Sequence, residues 1–190
     1  MNESMSLGVI AGVVLIVGNL TFPDNAEAGP FTSREEQRVN IDAREPEALE
    51  ELFEQNENAK NLYDRAYGYA TFDIVKISFA FTGGGGHGVA VAKATGERTY
   101  MRMGTGGLNF GLGGQKYRLV FLFQSQSTFD TFVAEGWEAG ASANAVAGPL
   151  GVNAGATFIN GVAVYQMTEV GLMLQADISA TKYWQSNLNR

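Results

Sequence analysis

The chain has 190 residues, 45% hydrophobic and 17% charged, with 24 glycines, His87 as its single histidine and no cysteine. Disulfides, thiol nucleophiles, cysteine-bound zinc and iron–sulfur clusters are thereby excluded, as is any site built from several histidines. The formal charge of −7 argues against nucleic acid as a partner, because affinity there comes from Lys and Arg neutralising phosphates.

At the N-terminus, Leu7 to Gly18 is an uninterrupted apolar run of 12 residues. A membrane-spanning helix needs ~20, whereas a secretory apolar core needs roughly 7–15. Asn19, Pro23, Asp24 and Asn25 follow, then Ala26-Glu27-Ala28, with small side chains at the two positions a signal peptidase inspects. The segment 1–28 therefore reads as a signal peptide cut after Ala28, although Met1 to Ser6 carries no base. The alternative readings are an uncleaved anchor using Met5 to Phe22 and a buried segment of a cytoplasmic protein. The first two readings, signal peptide and anchor, put the folded part outside the cytoplasm, periplasmic or secreted.

Beyond it, charge and glycine divide the chain at the same place. Residues 29–67 hold ten acids and five bases, and residues 68–190 hold seven acids and eight bases. Glycine is absent from 30–67 and occurs 20 times from 68 onward. The segment 29–44 reads as a polar leader, and 45–190 as one domain. Pro46 suits a first helical position, with Glu45, Glu47, Glu50 and Glu51 favouring an N-terminal turn. Leu49, Leu52 and Phe53 form an apolar stripe, continued by Ala59, Leu62, Tyr63 and Ala66. Two short helices are predicted, about 46–54 and 57–66.

The glycine-rich part reads as strands. Alternation is clear at Ile77-Phe79-Phe81, Leu108-Phe110-Leu112 and Leu119-Phe121-Phe123. Ala94-Thr95-Gly96-Glu97 is predicted to turn a hairpin between Val89–Lys93 and Arg98–Met103. Phe129, Phe132 and Val133 sit at helical spacing within one short helix, 126–135. An extended segment with Trp137 and alternating alanines from Ala139 to Ala147 follows, then Ala154 to Phe158, Val162–Thr168, and Leu172 to Ile178. The fold class is α+β: short N-terminal helices on a larger, mainly antiparallel β structure, two sheets or barrel-like.

No catalytic motif emerges. Gly83-Gly84-Gly85-Gly86-His87-Gly88 precedes a strand-like Val89-Ala90-Val91-Ala92, not the helix a phosphate loop requires, and reads as a bend between strands. His87 has no GxSxG nucleophile elbow for company, and the carboxylates of the β part stand singly. The chain therefore reads as no enzyme, with no cofactor and no metal. More informative are Lys76, Lys93, Arg98, Arg102, Lys116 and Arg118, which sit among strands while the acids concentrate in the helices. If they share a face, they form a patch suited to anionic lipid headgroups, worth ~1 kcal/mol per base at a charged surface. Otherwise they are ordinary strand residues or partners of acids such as Asp73 and Glu97.

From Tyr67 to Ile178 the order of motifs resembles the SYLF domain family. Ala66-Tyr67-Gly68-Tyr69-Ala70-Thr71-Phe72 stands at the family's opening motif and Val75-Lys76 at its V-K pair. Gly88-Val89-Ala90-Val91, Gly106 to Gln115, and Leu119 to Phe123 follow in order. Ala139 to Gly151, ending Ala147-Gly148-Pro149-Leu150-Gly151, resembles the alanine-rich signature, and Val164-Tyr165 and Gly171-Leu172 close the set. Asp73 replaces the family's proline, and Arg98-Thr99-Tyr100-Met101 replaces its Trp-Ser-x-Pro strand. The resemblance implies a lipid-binding module, linked to actin in fungal members and exported in many bacterial ones. Phe79, Phe81 and Tyr100 are expected as lipid-facing aromatics. The competing expectation is a small β-rich structural or outer-membrane protein without a specific lipid ligand.

Overall fold

The computed structural model describes residues 32–138, 157–168, 171–173 and 181–190. The readings for the leader 1–28, the alanine segment 139–147, Ala154 to Ala156 and Leu174 to Ile178 lie outside these residues. Side chains at 78–82, 107–112, 138 and 171–173 lie outside them too.

Helix α1, Arg34–Gln55, starts earlier than its apolar stripe announces. Ser33 caps it: its Oγ accepts from the Glu36 amide at 3.2 Å, while the Glu36 carboxylate accepts from the Ser33 amide at 2.8 Å. This reciprocal pair satisfies two amides that a helix start leaves open. The expected leader 29–44 is thus helical from Arg34, and Pro46 stands inside the helix, not at its first position. Proline cannot donate to the carbonyl four residues back. The helix is held there by side chains reaching across to the sheet, from Asp42 and Glu45 on one side of Pro46 and from Glu47 and Glu51 on the other. Asn56 closes α1 and opens α2, Glu57–Arg65, where its side chain accepts from the Ala59 amide. The buried stripe is the expected one: Leu49, Leu52, Ala59, Leu62 and Ala66.

Strands β1, Gly68–Ala92, and β2, Glu97–Phe123, form one long antiparallel hairpin, in register from Ala92↔Glu97 to Gly68↔Phe123 with a shift between Phe79 and Phe81. The turn falls where expected, with Gly96 at φ +70° and its amide bonded to the Ala92 carbonyl. The glycine run does not bend away from the sheet but lies within β1. A Cβ built on Gly84, Gly86 or Gly88 would stand 2.7, 2.5 or 2.1 Å from the carbonyl oxygens of Val75, Asp73 and Thr71. The second half of β1 therefore nests on the backbone of the first, an approach only alternate glycines permit.

On its other edge β2 pairs with β4, Val162–Thr168, and with β6, Thr181–Gln185. Strand β3, Trp137–Glu138, adds to β6, and β5, Gly171–Met173, to β4. Among the described residues every pairing is antiparallel, and the six strands described make one sheet that is not closed into a barrel. The α+β class and the antiparallel pairing stand, and of the expected two sheets or barrel the described strands form one open sheet. Helix α3, Gln126–Glu135, occupies the expected residues.

Strand alternation sorts the core into two layers. Tyr69, Val89, Val91, Val120, Leu122, Tyr165 and Met167 face α1 and α2. Phe72, Ile74, Met101, Phe121, Phe123 and Tyr183 face the opposite way, with Phe129 and Phe132 of α3. There the rings pack edge-on or tilted, Phe72 against Tyr183 at 5.0 Å and Phe123 against Phe132 at 4.8 Å, arrangements the ring quadrupole favours.

Candidate functional site

The helix-facing side of the sheet carries most of the bases read from the sequence. By alternation Lys93, Arg98, Arg102, Lys116 and Arg118 share it with Tyr69, Val91 and Val120, whereas Lys76 lies on the α3 side. Their surroundings differ sharply. Arg98 donates from Nε to Asp42 at 3.0 Å and from Nη2 to Glu45 at 2.9 Å. Glu45 is buried and also accepts the Tyr69 hydroxyl at 2.7 Å, while Asp42 accepts the Tyr100 hydroxyl at 2.9 Å.

Arg118 spreads its fork over three carboxylates: Asp73 at 3.0 Å, Glu51 at 2.9 Å and Glu47 at 3.0 Å. Burial opposes the charge on both guanidiniums, but hydrogen bonds and carboxylate fields outweigh it and hold them more firmly protonated than usual. These two arginines fasten the acidic face of α1 to the sheet.

Lys93 does a third structural job. Its ammonium lies 4.3 Å from the centre of the Tyr63 ring and donates to the carbonyls of Tyr63, Asp64 and Ala66, the loose end of α2. Burial, partly countered by Asp64, lowers its pKa. Arg102 is only 6% exposed, between His87 of β1 and Trp184 of β6 in register. Lys116 alone of the five is an exposed residue away from helix contacts, directly across from Val75. Tyr100, expected to face lipid, is half-buried under Arg38, and the side chains of Phe79 and Phe81 fall outside the described set.

Past the edge of α1 the same sheet face changes character. Val75 is 45% exposed and Ile77 62%, two of the three exposed large apolar side chains in the described chain. Beside them opens a cleft of about 1150 Å³ between α1 and the hairpin, lined among others by Arg44, Glu47, Val75, His87, Lys116 and Arg118. Arg44, more than half exposed, approaches Asp73 at 3.7 Å. Arg44, Val75 and Ile77 were not singled out as site residues from sequence. The available signal was the β1 alternation Asp73-Val75-Ile77, which passes from charge to apolar groups opposite a lysine.

Among the described residues no three His, Asp or Glu gather to hold a metal ion, and no helix is long and apolar enough to cross a membrane.

Buried tyrosines in both core layers give the fold a pH dependence. Burial, then the hydrogen bond to Glu45, push the Tyr69 hydroxyl far above its usual value. Burial pushes Tyr165 up to about 12 and Tyr183 well above the ordinary range. A folded-state pKa raised above the unfolded one gives stability that is complete below ~10 and lost as pH climbs beyond it. Melting temperature should therefore fall steeply between pH ~10 and ~12, with tyrosinate absorbance rising as the fold is lost. A flat melting temperature across that range would contradict the burial assigned to these hydroxyls.

Residues 104–187 match the family model Ysc84, described as Las17-binding protein actin regulator. Over 160 residues, 84% of the chain, the sequence is 43% identical to Beta cell expansion factor A of Aeromonas veronii. The chain covers 61% of that relative's length.

Proposed function

We propose, from the premise that through residues 104–187 the chain belongs to the Ysc84 family of SYLF-type proteins, that it is a non-enzymatic module associating with membrane lipid of the cell envelope. The observation that carries this reading is the apolar pair Val75 and Ile77, left exposed beside Lys116 on the helix-facing side of the sheet. Scattered apolar side chains need no explanation. A pair on one strand face, next to a cation and a cleft, marks a contact surface. The six bases do not act as one patch in this account. Arg98, Arg118 and Lys93 hold α1 and α2, and the lipid contact is assigned to the part of the sheet the helices leave open.

Export through residues 1–28 belongs to the same proposal and rests on the sequence pattern alone. The rival outer-membrane reading needs a sheet with one apolar face turned to lipid around a closed wall. The described sheet carries α1 and α2 on one face and α3 on the other, an arrangement that favours a peripheral contact.

Co-sedimentation with liposomes tests the proposal. The chain should pellet with phosphatidylglycerol-containing vesicles more than with pure phosphatidylcholine, and the difference should shrink at high salt as the range of the attraction shortens. Absence of binding to every vesicle at low salt would remove the lipid function.

A further inference from the structure

We infer that the cleft between α1 and the hairpin, together with the Val75–Ile77 strip, is a single phospholipid seat that accepts a headgroup bearing one phosphodiester and discriminates against multiply phosphorylated headgroups. The inference rests on the lipid reading above and adds where the lipid sits and which class it is. Three facts converge.

The first is contiguity. Val75 lines the cleft and also stands exposed on its rim, with Ile77 two residues further along the same strand face. A lipid whose headgroup enters the cleft thus lays its glycerol and upper acyl chain along apolar side chains that are otherwise wet.

The second is the placement of cations. Arg118 commits an N–H from each of its three nitrogens to a carboxylate, so its charge is already answered within the protein. Lys116 sits across from Val75 at the rim, and Arg44 enters from α1 with its side chain 59% exposed. These two are the bases placed to meet a phosphodiester.

The third is the charge balance. The charged residues lining the cleft are Arg44, Lys116 and Arg118 against Glu47, Glu51 and Asp73, three of each sign. A singly charged phosphodiester meets Lys116 and Arg44 at tolerable cost. A headgroup with two or three further phosphate charges would face Glu47, Glu51 and Asp73 with no additional base in the cleft to answer it. Like charges brought together away from bulk water repel strongly.

The test uses the whole chain and vesicles of phosphatidylcholine alone, with phosphatidylethanolamine, with phosphatidylglycerol, or with a bisphosphorylated phosphoinositide at matched total charge. Val75→Ser with Ile77→Ser should lower partitioning roughly tenfold on every membrane the parent binds, from the apolar area lost. Arg44→Gln with Lys116→Gln should cost roughly thirtyfold on phosphatidylglycerol, what two bases contribute at a charged surface. Lys60→Gln on the exposed side of α2 should bind as the parent does. All four positions are exposed or rim residues, and melting temperatures close to the parent's would confirm intact folds.

If the parent binds but both double variants bind equally well, the seat is overturned while the lipid function survives. Binding to the phosphoinositide more than tenfold tighter than to phosphatidylglycerol would overturn the charge-balance argument. Binding of free glycerol phosphate, without vesicles, as tightly as the chain binds the membrane would assign the cleft to a soluble phosphate compound and overturn the lipid seat. Failure of the parent to bind any membrane would instead refute the function itself.

Discussion

Gly88→Ala should abolish or severely weaken folding, although it adds a single methyl group to a strand. The new Cβ would lie 2.1 Å from the Thr71 carbonyl oxygen and 2.5 Å from the Phe72 ring. Carbonyl oxygens in a hydrogen-bonded ladder cannot move aside individually, so the two halves of β1 must separate. Overpacking in a close-packed interior costs ~1–3 kcal/mol where side chains can adjust. With backbone as the obstacle, the loss should be about 3 kcal/mol or more, a fall of ~6–12 °C in a domain of this size. Gly83→Ala is the internal control, because a Cβ there meets nothing within 4 Å. It should change stability by no more than ~0.5 kcal/mol. Equal melting temperatures for the two variants would show that the nested hairpin is wrong.

Arg118→Met should be the second large effect. The methionine fills much of the volume but leaves Glu47, Glu51 and Asp73 facing one another without a cation. Arg118 is 28% exposed, so water and salt screen part of the repulsion. A loss of about 2 kcal/mol follows, between the values for exposed and buried pairs broken on one side. Arg118→Lys, which keeps the charge but not the fork, should lose about half as much. Two further readouts identify the cause. Added salt should recover part of the stability of the methionine variant, and limited proteolysis should cut α1 before the sheet. A salt-independent loss with α1 still protected would contradict the fastening role.

Much of this architecture was written locally in the sequence. α2, α3, β4 and the turn at Gly96 follow from periodicity and turn chemistry within a few residues, and they sit at or within a residue of the expected positions. The N-terminal half of α1 has no apolar stripe to announce it. Its signals are the Ser33–Glu36 capping pair and contacts with the far end of the chain, where Arg38 donates to the carbonyls of Leu188 and Arg190. Sequence separation hides the second kind entirely.

The glycine run misled for a related reason. Alternating glycines in a strand leave no hydrophobic rhythm, and only the opposing backbone of residues 71–75 explains them. The bases were visible as a class, but their use was not. Arg118 and Lys93 look alike in sequence to Lys116, yet the first two are consumed by acids and carbonyls brought from 27 to 71 residues away. Val75 and Ile77 show the converse: a strand with alternating apolar residues reads the same whether a helix covers it or stops short.

The proposed contact between phospholipid and the open end of the helix-facing sheet surface is read directly by Ile77→Trp. Native Trp137 and Trp184 supply a fixed background. On addition of phosphatidylglycerol vesicles, emission from position 77 should shift to the blue and be quenched by brominated acyl chains, as a ring leaving water for the acyl boundary requires. Unchanged emission in a sample where the protein has demonstrably pelleted with the vesicles would contradict the account.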